Sequence, residues 1–303
     1  MSKFANEFSW SKSRDELFRE CRRMYYYDKY GSWGGWEEDA DERVRALYVA
    51  KNLKSRHMWV GEAVHRAVEN ILRALRSGVR KRAEEALEEM TVRMRQDFKD
   101  SRKGLYRKNP KRYCGLFEHE FDVPVKDEAW FSLHEKARGC VMHFMGSGIL
   151  DEIKRMPPDN WLTLEGLLDF RFEGNKIYLK MDFAAGVDGG ILIVDWKTGE
   201  KDDVDSNVQL NCYGLYAVEE WGVAPEAVTT VEYNLAGKKE KRTTMIPANL
   251  DWIKHYIRSS TTSMKQLLTD RALNQASEED FPFTDNELSC TWCRFKKLCR
   301  KFS

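Results

Sequence analysis

The sequence predicts one α/β core with a helical N-terminal part, closed by its C-terminal tail. Apolar residues recur at helical spacing as far as Ile153, the period switches to two after Pro157-Pro158, and helical spacing returns after Asp205. No internal repeat or low-complexity stretch interrupts this order.

Taken in order, Ser11 or Ser13 caps a helix over residues 11–30, with Leu17, Cys21 and Met24 on one side and Tyr25 to Tyr27 near its end. Gly31 to Gly35 breaks it, and an acidic patch from Glu37 to Glu42 opens the next segment. Gly61 to Ser77 is strongly amphipathic, with Val64, Val68, Ile71, Leu72 and Leu75 at helical spacing. A second helix, about 80–100, carries Ala83, Leu87, Met90, Met94 and Phe98 on one stripe. Gly104–Tyr113 reads as a basic loop, Phe117–Val125 as a short strand, and Trp130–Ile153 as a helix ended by the two prolines. Leu162/Leu164, Leu168/Phe170/Phe172 and Ile177/Leu179/Met181/Phe183 then alternate about the Gly174-Asn175 turn, with Tyr178, Lys180 and Asp182 on the opposite face. After a turn over Gly186 to Gly190, Ile191–Lys197 is a buried strand, so three strands form an antiparallel meander. A helix from about Asn207 to Trp221 is capped by Asp205 or Ser206 and stopped by Gly222. Val228–Leu235 and Lys241–Ile246 make a hairpin around Gly237, and Asn249 caps a helix to about Leu268. The last 35 residues are irregular and end in a cysteine cluster. This divides the chain into an N-terminal helical segment (1–60), a helical region with the basic loop (61–160), a core (161–270) and a cysteine region (271–303), with 61–303 forming one compact unit.

A chain of 303 residues with 42% apolar and 33% charged residues fits a soluble globular protein. No membrane-length apolar run and no secretory leader are seen, so a cytoplasmic location is expected. Net charge is only +1, but two stretches are locally basic. Nine Lys/Arg lie between Arg93 and Arg112 against Asp97 and Asp100, and five lie between Arg294 and Lys301 with no acid. Either stretch suits a phosphate backbone, and either suits a solvated face equally well. Seven cysteines, an odd number without an export signal, argue for metal ligation or buried thiols rather than disulfides.

The chemistry concentrates at the end of the Ile191–Lys197 strand. Side chains alternate along a strand, so Asp195 and Lys197 share a face. Asp182, near the end of the preceding strand, lies within reach at an inter-strand spacing of about 4.8 Å. Two carboxylates beside an ammonium can hold a hard divalent cation and a water, whereas a surface salt bridge is the plain alternative for an Asp-x-Lys met alone. His65 lies at the edge of an apolar helical stripe, as a core histidine or as a further metal ligand. Gln209 and Tyr213, four apart, share one face of the following helix.

In this order His65, Asp182, Asp195-Trp196-Lys197 and Gln209-x-x-x-Tyr213 resemble the RecB-type branch of the PD-(D/E)XK nucleases, from about Cys21 to Cys299. The resemblance implies a restriction-endonuclease-like core, a mixed central sheet flanked by helices, and hydrolysis of DNA phosphodiesters. It implies Mg²⁺ or Mn²⁺ on His65, Asp182, Asp195 and the Trp196 carbonyl, with Lys197, Gln209 and Tyr213 completing the catalytic set. Asp182 departs from the pattern, standing in Lys-Met-Asp-Phe where relatives often have a glycine and a basic residue. Glu165 matches a frequently acidic position, but reads as a solvent-facing strand residue.

Cys290-x-x-Cys293 and Cys299 cannot close a four-ligand site without a distant fourth cysteine. Cys21, in Cys21-Arg-Arg-Met-Tyr-Tyr-Tyr, is similar to the Cys-basic-Tyr segment of iron–sulfur RecB-like nucleases, among them the CRISPR-associated exonucleases and the AddB nuclease domain. That resemblance implies a [4Fe–4S] cluster on Cys21, Cys290, Cys293 and Cys299, stapling the chain ends. The same four thiolates taken alone suit zinc. Cys114, Cys140 and Cys212 are left as buried thiols. Tyr25 to Tyr27, or Trp33 and Trp36, are available to stack on bases. The implied partners are DNA and a helicase, recombination or CRISPR-adaptation protein. An inactive DNA-binding subunit and a zinc-stabilised nucleic-acid adaptor are the competing readings. The first would show no cleavage, and the second leaves the carboxylate–lysine arrangement unexplained.

Overall fold

The computed structural model describes residues 5–199, 206–299 and 301. Strand β1 (Ser9–Trp10) leads into α1 (Lys12–Glu20) and α2 (Arg22–Tyr26), which continues as a π-helical turn, Tyr27–Gly31. The expected single helix over 11–30 is therefore broken at Cys21. Its backbone is extended, and its Sγ accepts from Met24 N at 3.4 Å as a cap for α2. Helix α3 (Glu42–Lys51) is capped by Asp41, β2 is Leu53–Lys54, and α4 (Arg56–Arg76) is capped by Ser55. Helix α5 spans Ala83–Arg102, and β3 (Gly115–Leu116) pairs in parallel with β2.

The strand expected over Phe117–Val125 is instead a helical turn, α6 (Phe117–Glu120). Phe117 and Phe121, four apart, pack ring to ring at 4.5 Å, which a strand would prevent. Glu118 turns inward and accepts from Arg56 N at the start of α4. The helix expected over Trp130–Ile153 is two helices, α7 (Asp127–Met145) and α8 (Gly148–Arg155), because Ser147 caps the second.

The meander is as the alternation predicted: β4 (Trp161–Phe172), β5 (Asn175–Val187) and β6 (Gly190–Lys197) run antiparallel. Helix α9 (Ser206–Trp221) crosses over to β7 (Val228–Asn234), which lies parallel to β6, and β8 (Lys239–Thr244) returns antiparallel. Asp205, one expected cap of α9, lies outside the described residues, as does the side chain of Ser206, the other. Helix α10 (Pro247–Gln266) begins two residues before Asn249, whose side chain caps it from its third position, and α11 (Glu287–Thr291) is short. β1 pairs with the first residues of β5, beyond where β6 reaches, so the sheet is mixed.

Each face of the sheet is covered. Val64, Val68, Leu72, Met90 and Phe144 of α4, α5 and α7 pack on Leu192, Val194 and Trp196. Leu210, Leu215, Ile253 and Ile257 of α9 and α10 pack on Ile177, Ile191 and Ile193. A smaller cluster joins Met24, Tyr27, Leu47 and Phe295. The strict alternation expected along β5 fails at one place. Met181 belongs to the second core but Phe183 to the first, and on β4 Leu164 belongs to the first but Phe170 to the second. Both strands change face at Glu165 and Asp182, where Glu165 has a left-handed backbone, φ +50°.

Gly190 opens β6 with no room for a side chain, since a Cβ there would press into the Ala227 carbonyl. Gly190→Ala is expected to cost about 2 kcal/mol of stability, read as a lower midpoint in denaturant at unchanged slope.

Candidate active site

The end of β6 meets helices from both layers. Asp195 and Lys197 face α9, while Trp196 points to the other side and packs against Phe144 at 5.1 Å. Lys197 Nζ lies 3.0 Å from Asp195 Oδ2 and donates to Gln209 Oε1 at 2.8 Å. The Gln209 amide donates to Asp195 Oδ1 at 2.8 Å and to the Tyr213 hydroxyl at 2.6 Å. Tyr213, fully enclosed, shares its hydroxyl between the Lys180 carbonyl and Asp195 Oδ1. Helical spacing of Gln209 and Tyr213 thus fixes both ends of the Asp195 and Lys197 pair.

Asp182 ties this group to the opposite layer. Its Oδ2 accepts from Trp196 N at 2.7 Å, and its Oδ1 lies 3.2 Å from His65 Nδ1 on α4. His65 is also 3.2 Å from Glu165 Oε1, and the other Glu165 oxygen pairs with Lys180. Ligand atoms of His65, Glu165 and Asp182 all lie within 4.8 Å of one another. Glu165 corrects the expectation of a solvent-facing residue, because its side chain is only 4% exposed. The face change at φ +50° turns it inward, and period-two reasoning could not anticipate this. An acid directly before a glycine, between the mainly apolar runs 161–164 and 167–168, was the available signal.

Charge balance in this pocket is tight. Burial, then the Asp182 charge, push the Asp195 carboxyl up to about 6 against the pull of Lys197. Burial opposes a charge on His65, but Asp182 and then Glu165 outweigh it and raise the imidazole to about 10. Burial raises the Glu165 carboxyl, yet hydrogen bonds from His65 and Lys180 leave it below its ordinary value. Burial lifts the Tyr213 phenol well above its usual range, so it remains a neutral hydrogen-bond donor.

Cys21, Cys290, Cys293 and Cys299 line a separate cavity that none of these groups borders. No three of them bring their sulfurs within 4.8 Å of one another among the described residues. Cys140 and Cys212 are buried, and Cys114 is half-buried. The aromatic residues considered for base stacking are mostly structural. Tyr25 and Tyr27 are buried, Tyr26 stacks on Tyr30, and Trp33 packs edge-on against Trp36 at 5.0 Å. Among the described residues no helix is long and apolar enough to cross a membrane.

A mixed sheet with an acid on one strand and Asp-x-Lys at the end of the next, flanked by a helical histidine and a Gln-x-x-x-Tyr, defines a class of α/β protein. The family model for the PD-(D/E)XK nuclease superfamily matches residues 9–300, and the chain belongs to that superfamily. Two solved structures are similar. One is a candidate exonuclease from Eubacterium rectale, 12% identical, covering 86% of this chain and 80% of that chain at a TM-score of 0.43. The other, SSO0001, is 17% identical and covers 61% of this chain and 79% of that chain at a TM-score of 0.31. No curated protein matches.

Proposed function

We propose that this chain is a metal-dependent deoxyribonuclease of the RecB-like type, acting on ends of single-stranded or frayed DNA in repair, recombination or CRISPR- and phage-related processing. The observation that carries the reading is the convergence of His65, Glu165 and Asp182 beside the Asp195 and Lys197 pair. The donor set fits a hard divalent cation. Two carboxylates, Glu165 and Asp182, and the His65 imidazole converge, and beside them Asp195 Oδ2, fully buried, accepts no hydrogen bond among the described residues and lies 3.0 Å from the Lys197 ammonium.

Mg²⁺ or Mn²⁺ would be held by His65, Asp182, Asp195 and the Trp196 carbonyl, with Glu165 as a further oxygen donor. Such an ion supplies phosphate polarisation and a more acidic bound water. Lys197 orients the attacking water or offsets charge developing on the phosphate. Gln209 holds both Lys197 and Asp195, so it positions the pair rather than reacting. Gln209→Ala is expected to lower cleavage about 10- to 100-fold with little loss of DNA binding, measured by turnover and by binding in EDTA.

We also propose that the four-cysteine cavity holds a [4Fe–4S] cluster as a staple between the chain ends. What supports this reading is that Cys21, Cys290, Cys293 and Cys299 line one cavity and that Cys21 stands in a Cys-basic-Tyr segment. The same four thiolates suit zinc, and the absorbance spectrum separates the two.

The test is anaerobic purification and an absorbance spectrum, followed by digestion of end-labelled linear and circular single-stranded DNA with Mg²⁺, Mn²⁺ or EDTA. Metal-dependent loss of the linear substrate is expected. DNA binding with no cleavage under any metal would support the inactive-subunit reading instead.

A further inference from the structure

The two basic stretches lie 180 residues or more apart in sequence, yet they meet in space. Arg107, from the loop after α5, pairs with Glu120 at 2.9 Å. Lys297, from the cysteine tail, reaches the same Glu120 carboxylate at 2.9 Å and its carbonyl at 2.6 Å. Arg45 on α3 closes the third side, donating to the Lys108 and Gly35 carbonyls at 2.9 Å, so its charge is not spent on a carboxylate. Between them runs a cleft lined by Arg45, Arg107, Arg294 and Lys297, against two acids, Glu42 and Glu120. Glu120 is already shared by two of those cations.

The positive charge extends past the cleft. Burial brings the Lys51 ammonium down to about 8, opposed by Asp28 and aided by Lys29, Lys111 and Arg294. Cations from four separate segments therefore gather at one place, where Arg107 and Lys297 share Glu120 and Lys29 and Arg294 share Asp28. Lys108, Lys111 and Arg112 stand exposed on the adjoining loop. With a net charge of only +1 for the whole chain, this is a local concentration.

We propose that the face built by α3, the 104–113 loop and the 294–299 segment grips the phosphate backbone of the DNA substrate outside the cleavage site. This rests on the nuclease reading above and names how substrate is held. Contacts to phosphates carry no base information, so such a grip is independent of sequence. Leu53, on the cleft wall, lies three residues before the start of α4 at Arg56, and His65 lies nine residues beyond Arg56 along that helix. At 1.5 Å per residue this is about 14 Å, or roughly four phosphates of a duplex strand at 3.4 Å each. DNA long enough to span that distance gains the extra contact, and shorter fragments do not.

The experiment compares wild type with a Lys108→Gln/Lys111→Gln/Arg112→Gln variant and with a control carrying Lys239→Gln and Lys241→Gln on the exposed strand β8. Binding of a 30-nucleotide DNA is measured in EDTA over a salt series, and cleavage kinetics are measured for that DNA and for a trinucleotide. The triple variant should bind at least 10-fold more weakly, with a salt slope smaller by about 2. Its KM for the long substrate should rise while kcat, and all trinucleotide kinetics, stay at wild-type values. Unchanged binding and slope in the triple variant would overturn the inference while leaving the nuclease reading intact. An equal loss in the β8 control would overturn it too, reducing the effect to net charge. Wild-type protein that binds DNA but does not cleave removes the nuclease reading, and the binding arm still decides this one. Wild-type protein that binds no DNA removes both.

Discussion

Lys197→Ala is expected to lower DNA cleavage by on the order of 10³-fold while DNA binding and the far-ultraviolet spectrum stay near wild type. The ammonium is 3.0 Å from Asp195 and held by Gln209, so it is aimed before substrate arrives. No other cation is hydrogen-bonded to Asp195 among the described residues that could substitute for it. Lys180, two residues before Asp182, is committed to Glu165 on the other side of the pocket. Lys197 lies at the rim, and the apolar residues beneath it are those of β6, so truncation opens no hole in the core. Undiminished cleavage by this variant would remove Lys197 from the catalytic role and with it the site proposed above. Lys197→Arg separates charge from geometry. A guanidinium keeps the charge but cannot occupy the same position between Asp195 and Gln209, so its activity is expected to stay low.

Cys293→Ser is expected to bleach the protein and to lower its stability by about 3–5 kcal/mol, the scale of a cross-link that closes a very long loop. Cys293, partly buried, packs against the small third core, accepting from Phe295 N at 3.4 Å and touching the Met24 sulfur at 3.7 Å. Burial pushes its thiol up to about 12, so without a metal the group is a neutral, inert thiol. A cluster would convert it to a ligating thiolate and make the third core depend on the metal. Other contacts also join the chain ends. Arg23 pairs with Glu278 at 2.9 Å, and Arg294 with Asp28 at 2.6 Å. The variant should therefore fold in part and lose its last turns first, seen as early proteolysis after residue 280 or so. A colourless wild type loaded with zinc would refute the cluster. A substitution that leaves both spectrum and midpoint unchanged would refute any metal there.

The meander, the crossover through α9 and the return hairpin were legible because each rests on local periodicity. Leu168/Phe170 and Ile177/Leu179 alternate, Gly174 and Gly189 take positive φ in the turns, and α9 has a nearly continuous apolar stripe. Breaks decided by one side chain were not legible. Cys21 ends one helix and caps the next, Ser147 caps α8 directly after Gly146 ends α7, and Glu118 folds inward to hold α4. The Glu118 bond joins distant segments, so the local pattern carries no record of its partner, and the two caps are single local bonds inside runs whose apolar spacing reads on as one helix.

The site divides in the same way. Asp195 and Lys197 share a face because a strand has period two, and Gln209 and Tyr213 share one because a helix has period 3.6. Sequence alone determined those pairs and the order of His65, Asp182 and Asp195 along the chain. Tertiary structure decided that Glu165 enters the pocket, because two paired strands change face together at that point. It also decided that two basic stretches far apart in the chain converge on Glu120. Periodicity is a property of a single segment, whereas convergence of charge depends on how segments pack, and packing is set by long-range contacts that no window of sequence contains.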